Sequence, residues 1–83
     1  MKVFSIYDSK VEAYMRPFFE QTRGSAIRAI TEAVNDKSTG LAKHPADFTL
    51  FELGDFDDAD ANFKLHSSPV NCGVLLEYVT VSE

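Results

Sequence analysis

The sequence predicts an α+β domain: a small, mostly antiparallel sheet of four to five strands with one main helix packed on one face. Two segments, residues 1–7 and 48–53, are rich in the β-branched and aromatic residues typical of strands. Between them, apolar residues recur every three or four positions, which is the spacing of a helix. The chain has 83 residues, which predicts a single domain over residues 1–83. One sheet with one helix against it is the economical architecture for so short a chain.

The first half of the chain is predicted to hold two paired strands. Residues 1–7 alternate two sets of side chains, as a strand does, and end at the polar residues 8–10. Residues 11–16 favour neither a helix nor a strand. Pro17 disfavours helix at Arg16, so residues 18–21 are predicted as a second strand, antiparallel to the first across an irregular connection.

The main helix is predicted to begin at a cap formed by Thr22 or Ser25 and to stop at residues 35–40. Arg28 and Glu32 lie four residues apart on its polar side. The residues at helical spacing are Ala26, Ile27, Ala29, Ile30, Ala33 and Val34. Residues 41–45 are expected to form a polar connection.

The second half of the chain is predicted to be mainly strand. Residues 48–53 form a strand closed by Gly54, residues 55–62 an acidic turn, and residues 63–65 a return strand. Residues 67–73 hold Ser, Pro, Asn and Gly, which favour a loop. Residues 74–81 are predicted as a last strand, although Leu75, Leu76 and Val79 also suit a helix face.

The charge of the chain is negative and unevenly distributed. The net charge is −5. Residues 1–44 hold seven Lys and Arg against five acids, giving +2, and residues 45–83 hold one Lys against eight acids, giving −7. A negative total opposes non-specific binding to phosphate backbones, so any nucleic-acid surface is expected to use the cations of the first half.

Cysteine content and hydropathy indicate where the chain works. Cys72 is the only cysteine, so no intrachain disulfide forms and a reducing compartment is expected. No apolar run approaches the roughly 20 residues that cross a bilayer, and the first residues do not resemble a signal peptide. We therefore expect no membrane association and an intracellular location.

The sequence predicts no enzymatic activity, no metal and no cofactor. Asp58, Asp60 and Asn62 match the start of a calcium loop, but Phe63 stands where that loop needs Gly and Pro69 where it needs Glu. His44 and His66 have no Cys or Glu at metal-ligand spacing, and one cysteine cannot complete a zinc site. The chain also lacks a Gly-x-Ser-x-Gly elbow, and Cys72 has no activating cluster around it in sequence.

A set of cations interleaved with aromatic residues is the candidate binding site. Aromatic rings beside cations are the groups that hold single-stranded nucleic acid. Tyr7, Tyr14 and Phe19 are the rings expected at the surface, and Tyr14 is the predicted stacking ring. Residues 22–25 at the helix start are a second candidate for anion binding, although an ordinary capped helix start fits them better. The predicted nucleic-acid-binding residues are Lys10, Tyr14, Arg16, Arg23, Arg28 and Lys43. Composition alone favours solvated basic residues over a nucleic-acid groove.

Several blocks of the sequence resemble one viral family. They are residues 1–8 (MKVFSIYD), 17–19 (PFF), 24–28 (GSAIR), 34–36 (VND) and 44–57 (HPADFTLFELGDFD). Together they look like the small nonstructural protein of gokushovirus-type Microviridae, single-stranded DNA bacteriophages, over about residues 1–60. The resemblance implies a DNA-binding accessory protein, without catalytic motif, that associates with single-stranded or replicating phage DNA during genome replication or packaging in the host bacterial cytoplasm.

A second hypothesis assigns the chain to a different class. An open sheet this small has free edges, and strand edges recruit other chains. The chain would then be a protein-interaction module, homodimeric or bound to phage or host proteins. Dimer formation would also help so short a domain to stay folded.

Overall fold

The computed structural model describes residues 1–80, and its architecture is a five-stranded antiparallel sheet with one main helix on one face, which confirms the predicted α+β class. The strands are β1 (Lys2–Asp8), β2 (Ala13–Tyr14), β3 (Phe18–Glu20), β4 (Phe48–Asp57) and β5 (Asn62–Val74). The helices are α1 (Arg23–Asn35) and α2 (Gly40–Lys43), with two short 3₁₀ helices at Pro45–Asp47 and Leu75–Tyr78.

Strand β1 lies at the centre of the sheet. One of its edges is shared by β2 and β3, because β2 pairs with the end of β1 and β3 with its beginning. The other edge pairs with β4, and β5 pairs with β4 as the outer strand. The predicted pairing of residues 18–21 with the first strand is therefore confirmed for β3. The connection between them contains the two-residue strand β2.

Helix α1 covers one face of the sheet. The Thr22 side chain accepts a hydrogen bond from the Ser25 amide at 3.0 Å, and the Ser25 hydroxyl accepts one from the Thr22 amide at 3.3 Å, so both predicted caps act together. The core holds the helix residues Ala26, Ile30 and Val34 with Phe4, Ile6, Leu50 and Leu75, all at most 5% exposed. Packing of this apolar stripe against the sheet is the main source of stability.

The last part of the chain differs from the prediction. Residues 67–73, predicted as a loop, belong to β5. Pro69 is tolerated there because β5 is the outer strand and needs no amide donor on its free side. The register shifts between Glu52 and Gly54, whose partners are Val70 and Leu65, so the four residues 66–69 lie opposite one residue of β4.

The predicted terminal strand over residues 74–81 is wrong for residues 75–80, since only Val74 is strand, as the last residue of β5, and Val81 lies outside the described residues. Leu75–Tyr78 is a 3₁₀ helix, and Leu75 is fully buried in the core. Leu75 and Tyr78 are three residues apart, so both lie on one side of a 3₁₀ turn and both contact the core. The Tyr78 hydroxyl also donates to the Cys72 carbonyl, which fixes the turn against β5.

The hairpin between β4 and β5 is longer than predicted. Strand β4 continues past Gly54 to Asp57, and the acidic turn is confined to residues 58–61. Gly54 is required because an added Cβ would lie 2.3 Å from the Lys64 carbonyl oxygen. The predicted polar connection over residues 41–45 contains α2, where Thr39 caps the amide of Ala42.

Candidate nucleic-acid interface

The sheet face opposite α1, called here the open face, has no helix over it among residues 1–80. Phe4 and Ile6 of β1 point toward α1, so the alternating residues Val3, Ser5 and Tyr7 lie on the open face. An antiparallel sheet with one solvated face normally alternates apolar and polar residues. Here the paired positions of the open face, within the described part of the chain, hold no charged side chain.

Aromatic residues occupy the open face in two clusters. The tyrosine cluster is Tyr7, Tyr14 and Phe51, with ring centroids 4.9 Å apart for Tyr7 and Tyr14 and 5.6 Å for Tyr14 and Phe51. The phenylalanine cluster is Phe19, Phe56 and Phe63, with centroid distances of 4.8 to 6.3 Å. Tyr14, Phe19 and Phe63 are 48%, 40% and 54% exposed. Both clusters are therefore accessible to a ligand.

Three of the predicted site residues come together beside the tyrosine cluster. Residues 10–16, called here the β2 edge, are all exposed, and they contain Lys10, Tyr14 and Arg16 together with one acid, Glu12. The segment is held by its pairing with β1 and by further hydrogen bonds: the Lys10 amide donates to Asp8 Oδ1 at 2.9 Å, the Met15 amide to the Ile6 carbonyl at 2.7 Å, and the Ser5 hydroxyl to the Met15 carbonyl at 2.6 Å. No ion pair among residues 1–80 involves either cation of this edge.

The other three predicted residues lie in the helical layer on the opposite side of the sheet. Arg28 is exposed in the middle of α1, and Lys43 is exposed at the end of α2. Arg23 is turned toward the buried carboxylate of Glu52, to which its Nε and Nη2 donate at 3.2 and 3.1 Å. The structure therefore does not gather all six residues on one surface.

The helix start over residues 22–25 is an ordinary capped terminus. The Ser25 amide is already bonded to the Thr22 side chain, and the nearest arginine, Arg23, is paired with Glu52. The Ser25 amide and the Arg23 guanidinium are thus already engaged within the protein. This arrangement fits the capping interpretation better than the anion site considered above.

Sequence reasoning missed the ionic cluster around Glu52. This carboxylate is 4% exposed; Oε1 accepts from Arg23, Oε2 lies 2.7 Å from His66 Nε2, and Lys2 Nζ is 3.9 Å away. Burial raises the pKa of Glu52, but the hydrogen bonds from His66 and Arg23 and the charge of Lys2 outweigh it and hold the pKa below its usual value. The cluster joins β1, α1, β4 and β5. The signal in the sequence was a lone Glu in a strand at a core-facing position.

The described residues offer few groups for chemistry. Burial raises the pKa of the Cys72 thiol, which leaves it protonated and a weak nucleophile at neutral pH. Within residues 1–80, no three His, Cys, Asp or Glu side chains are grouped to hold a metal ion. In the same range, no helix is long and apolar enough to cross a membrane.

The fold and these surfaces define a small α+β domain that presents an apolar sheet face and, beside it, an edge with one ring, two cations and one carboxylate. The chain belongs to the family described as Phage ORF5 protein, whose model matches residues 1–78. It is thus a phage protein, which confirms the phage origin implied by the sequence and extends the matched region past residue 60. No curated protein and no solved structure matches the chain.

Proposed function

We propose that this phage protein is a non-enzymatic, nonstructural accessory protein of gokushovirus-type Microviridae that associates with single-stranded or replicating phage DNA during genome replication or packaging. Its place of action is the host bacterial cytoplasm. The family match and the resemblance over residues 1–60 support the phage role. The β2 edge supports the DNA association.

The observation that carries the proposal is the grouping of Lys10, Tyr14 and Arg16 on one exposed segment of seven residues. Tyr14 packs edge-on against Tyr7 and Phe51, so its ring is held in place while 48% of the residue stays accessible. A held ring suits base stacking, which contributes about 1 to 3 kcal/mol per base. Lys10 and Arg16 flank this ring in sequence and supply charge for the neighbouring phosphates.

The charge distribution limits the size of the DNA contact. The acids Asp57, Asp58 and Asp60 lie at the tip of the β4–β5 hairpin, and β2 pairs with the opposite end of β1. With two cations, the contact neutralises about two phosphates, for which the logarithm of affinity falls with the logarithm of salt with a slope of roughly −1.4 for single strands. Affinity is then expected to drop about 7-fold between 50 and 200 mM salt.

A titration of labelled oligonucleotides by fluorescence anisotropy tests the proposal. Single-stranded DNA is expected to bind more tightly than a duplex of the same sequence, because only unpaired bases expose a face to Tyr14. Tyr14→Ala and the double variant Lys10→Ala with Arg16→Ala should each weaken binding at least about 5-fold. Arg28→Ala, which removes an exposed cation from the helical layer, is the matched control and should change affinity little. Absence of any anisotropy change at low salt would refute the proposal.

The second candidate function is a protein-interaction module, homodimeric or bound to phage or host proteins. The observation that favours it is the uncharged open face with its exposed phenylalanine cluster. Affinity capture from phage-producing cells, with and without nuclease, separates the two candidates. A protein partner that survives nuclease treatment supports the module, and its loss with the DNA contradicts it.

A further inference from the structure

Each of the two aromatic clusters contributes one ring to the same margin of the sheet. Tyr14 is in register with Tyr7 at the end of β1, and Phe19 is in register with Val3 near its beginning. The two rings are therefore four residues of β1 apart, or roughly 13 Å at the rise of an extended strand. Residues 13–20, called here the β2–β3 margin, cover this distance as one continuous stretch of chain beside β1.

A cation lies between these two rings along the β2–β3 margin. Arg16 follows Tyr14 by two residues and precedes Phe19 by three, and it is exposed. Its guanidinium takes part in none of the ion pairs among residues 1–80. The margin is held to β1 at this point, because the Ser5 hydroxyl donates to the Met15 carbonyl at 2.6 Å. A ring, a cation and a second ring thus follow one another beside β1, which matches the base, phosphate and base of a single strand.

The charges near the phenylalanine cluster permit a nucleic acid on the open face. Asp55 and Asp57 alternate with Phe56 along β4, so their side chains point to the α1 side of the sheet. The acidic turn at residues 58–61 lies beyond the end of this strand. The Met1 ammonium, which donates to the Phe56 carbonyl at 2.9 Å, is a cation within the cluster. The carboxylates of β4 thus face away from a base stacked on these rings.

The rings of the phenylalanine cluster are both exposed and held in place. Phe19 and Phe63 are 40% and 54% exposed, and they pack on Phe56 with ring centroids 5.4 and 4.8 Å apart. Neighbouring rings already restrict these side chains, so stacking a base on them costs little further entropy. An apolar protein segment on this face would leave the Arg16 guanidinium without a partner. A single strand of nucleic acid matches the rings and the cation together.

We propose that a single strand of DNA follows the β2–β3 margin from the tyrosine cluster to the phenylalanine cluster, with bases stacked on both and a phosphate at Arg16. This inference rests on the proposed function and adds a second stacking site to the one ring of the β2 edge. At about 3.4 Å per stacked nucleotide, the roughly 13 Å between the clusters corresponds to about four nucleotide steps. The site therefore covers about five nucleotides.

Fluorescence anisotropy with a labelled oligothymidylate about eight nucleotides long tests the second stacking site. Phe63→Ala should weaken binding at least about 5-fold, the lower end of what one stacked base contributes. The dependence of affinity on salt should stay unchanged, because the substitution removes a ring and no charge. Leu65→Ala is the matched control, because Leu65 is 65% exposed and in register with Gly54 on the same face but has no ring. It should change affinity less than about 2-fold.

Three further readouts identify stacking as the cause of any loss. Phe63→Trp should restore binding, and its fluorescence should be quenched by the oligonucleotide, since the chain has no other tryptophan and an indole stacks on a base. Tyr14→Ala with Phe63→Ala should lose affinity by about the product of the single losses, because rings this far apart act independently. Affinity should rise with length up to about five nucleotides in the wild type and level off earlier in Phe63→Ala.

The outcomes separate the second stacking site from the proposed function on which it rests. If Tyr14→Ala weakens binding and Phe63→Ala does not, the contact ends at the β2 edge and the second stacking site is refuted. Equal losses from Phe63→Ala and Leu65→Ala, or an unquenched indole in Phe63→Trp, refute stacking there as well. Absence of binding by the wild type overturns both proposals together. A protein partner that is lost with Phe63→Ala, at unchanged DNA affinity, overturns the second stacking site and assigns the cluster to the protein-interaction module.

Discussion

Removal of the negative charge of Glu52 is predicted to destabilise the fold strongly. Glu52→Gln keeps the shape of the side chain but replaces a charged acceptor of Arg23 and His66 by a neutral amide, which weakens the bond to Arg23 and leaves His66 either to accept from the new NH₂ group or to lose its bond. A hydrogen bond to a charged group contributes about 1.5 to 3 kcal/mol, and breaking a fully buried pair costs about 3 to 5 kcal/mol. The Arg23 side chain is 50% exposed and can turn to water, so the cost is taken from the lower of these two ranges.

The expected loss is therefore about 2 to 3 kcal/mol, equivalent to a fall in Tm of roughly 10 to 20 °C for a domain of this size. Urea denaturation followed by far-ultraviolet circular dichroism measures it. Asp55→Asn is the matched control, because its carboxylate lies 3.7 Å from the same Lys2 but is 54% exposed, and it should cost less than about 1 kcal/mol. Equal losses of unfolding free energy in the two variants would refute the claim that burial makes the Glu52 carboxylate more important to stability than that of Asp55.

The same carboxylate predicts how stability changes with pH. The folded pKa of Glu52 is lowered, so its contribution is complete above its unfolded pKa, about 4.3, and is lost as pH falls through the folded value. The difference between wild type and Glu52→Gln should thus shrink below about pH 4. A difference that grows on acidification would contradict the sign of this linkage.

Three other substitutions test the fold. Gly54→Ala should cost more than about 2 kcal/mol in urea denaturation, because the new Cβ meets the backbone carbonyl of Lys64 at 2.3 Å; a neutral effect would mean that the hairpin shifts easily. Leu75→Ala should cost about 2 to 5 kcal/mol in the same assay, since Leu75 is fully buried. A cost below about 1 kcal/mol would contradict the assignment of Leu75 to the core. Thr22→Ala should cost about 1 kcal/mol, and Thr22→Ser, which keeps the capping hydroxyl, should restore most of it; equal melting of the two variants would exclude the cap.

The local signals in the sequence predicted the elements whose structure is decided locally. Helix α1 was found from its apolar spacing and its caps at Thr22 and Ser25, and β1 and the first half of β4 from their composition. Strand β5 was not found as one element because Pro69 and Gly73 are strong turn signals in isolation. They are tolerated here only because β5 is an outer strand, and a strand's place in the sheet is set by tertiary structure.

The candidate site was predicted only in part, because some of its contacts join residues that are distant in sequence. Tyr14 was correctly expected at the surface, where it is 48% exposed. The pairing of Arg23 with Glu52 joins residues 29 positions apart, so no local pattern contained it. The phenylalanine cluster depends on the irregular register of β4 against β1 and β5, which places Phe56 and Phe63 beside Phe19.

The interrupted edge at residues 66–69 has a consequence for assembly at high concentration. An unbroken outer strand of 13 residues would be a template on which sheets add end to end into fibres. The opposite margin is also divided, between the two-residue β2 and the three-residue β3. Within residues 1–80, both margins of the sheet are thus divided into short stretches, which hinders the end-to-end addition of further sheets.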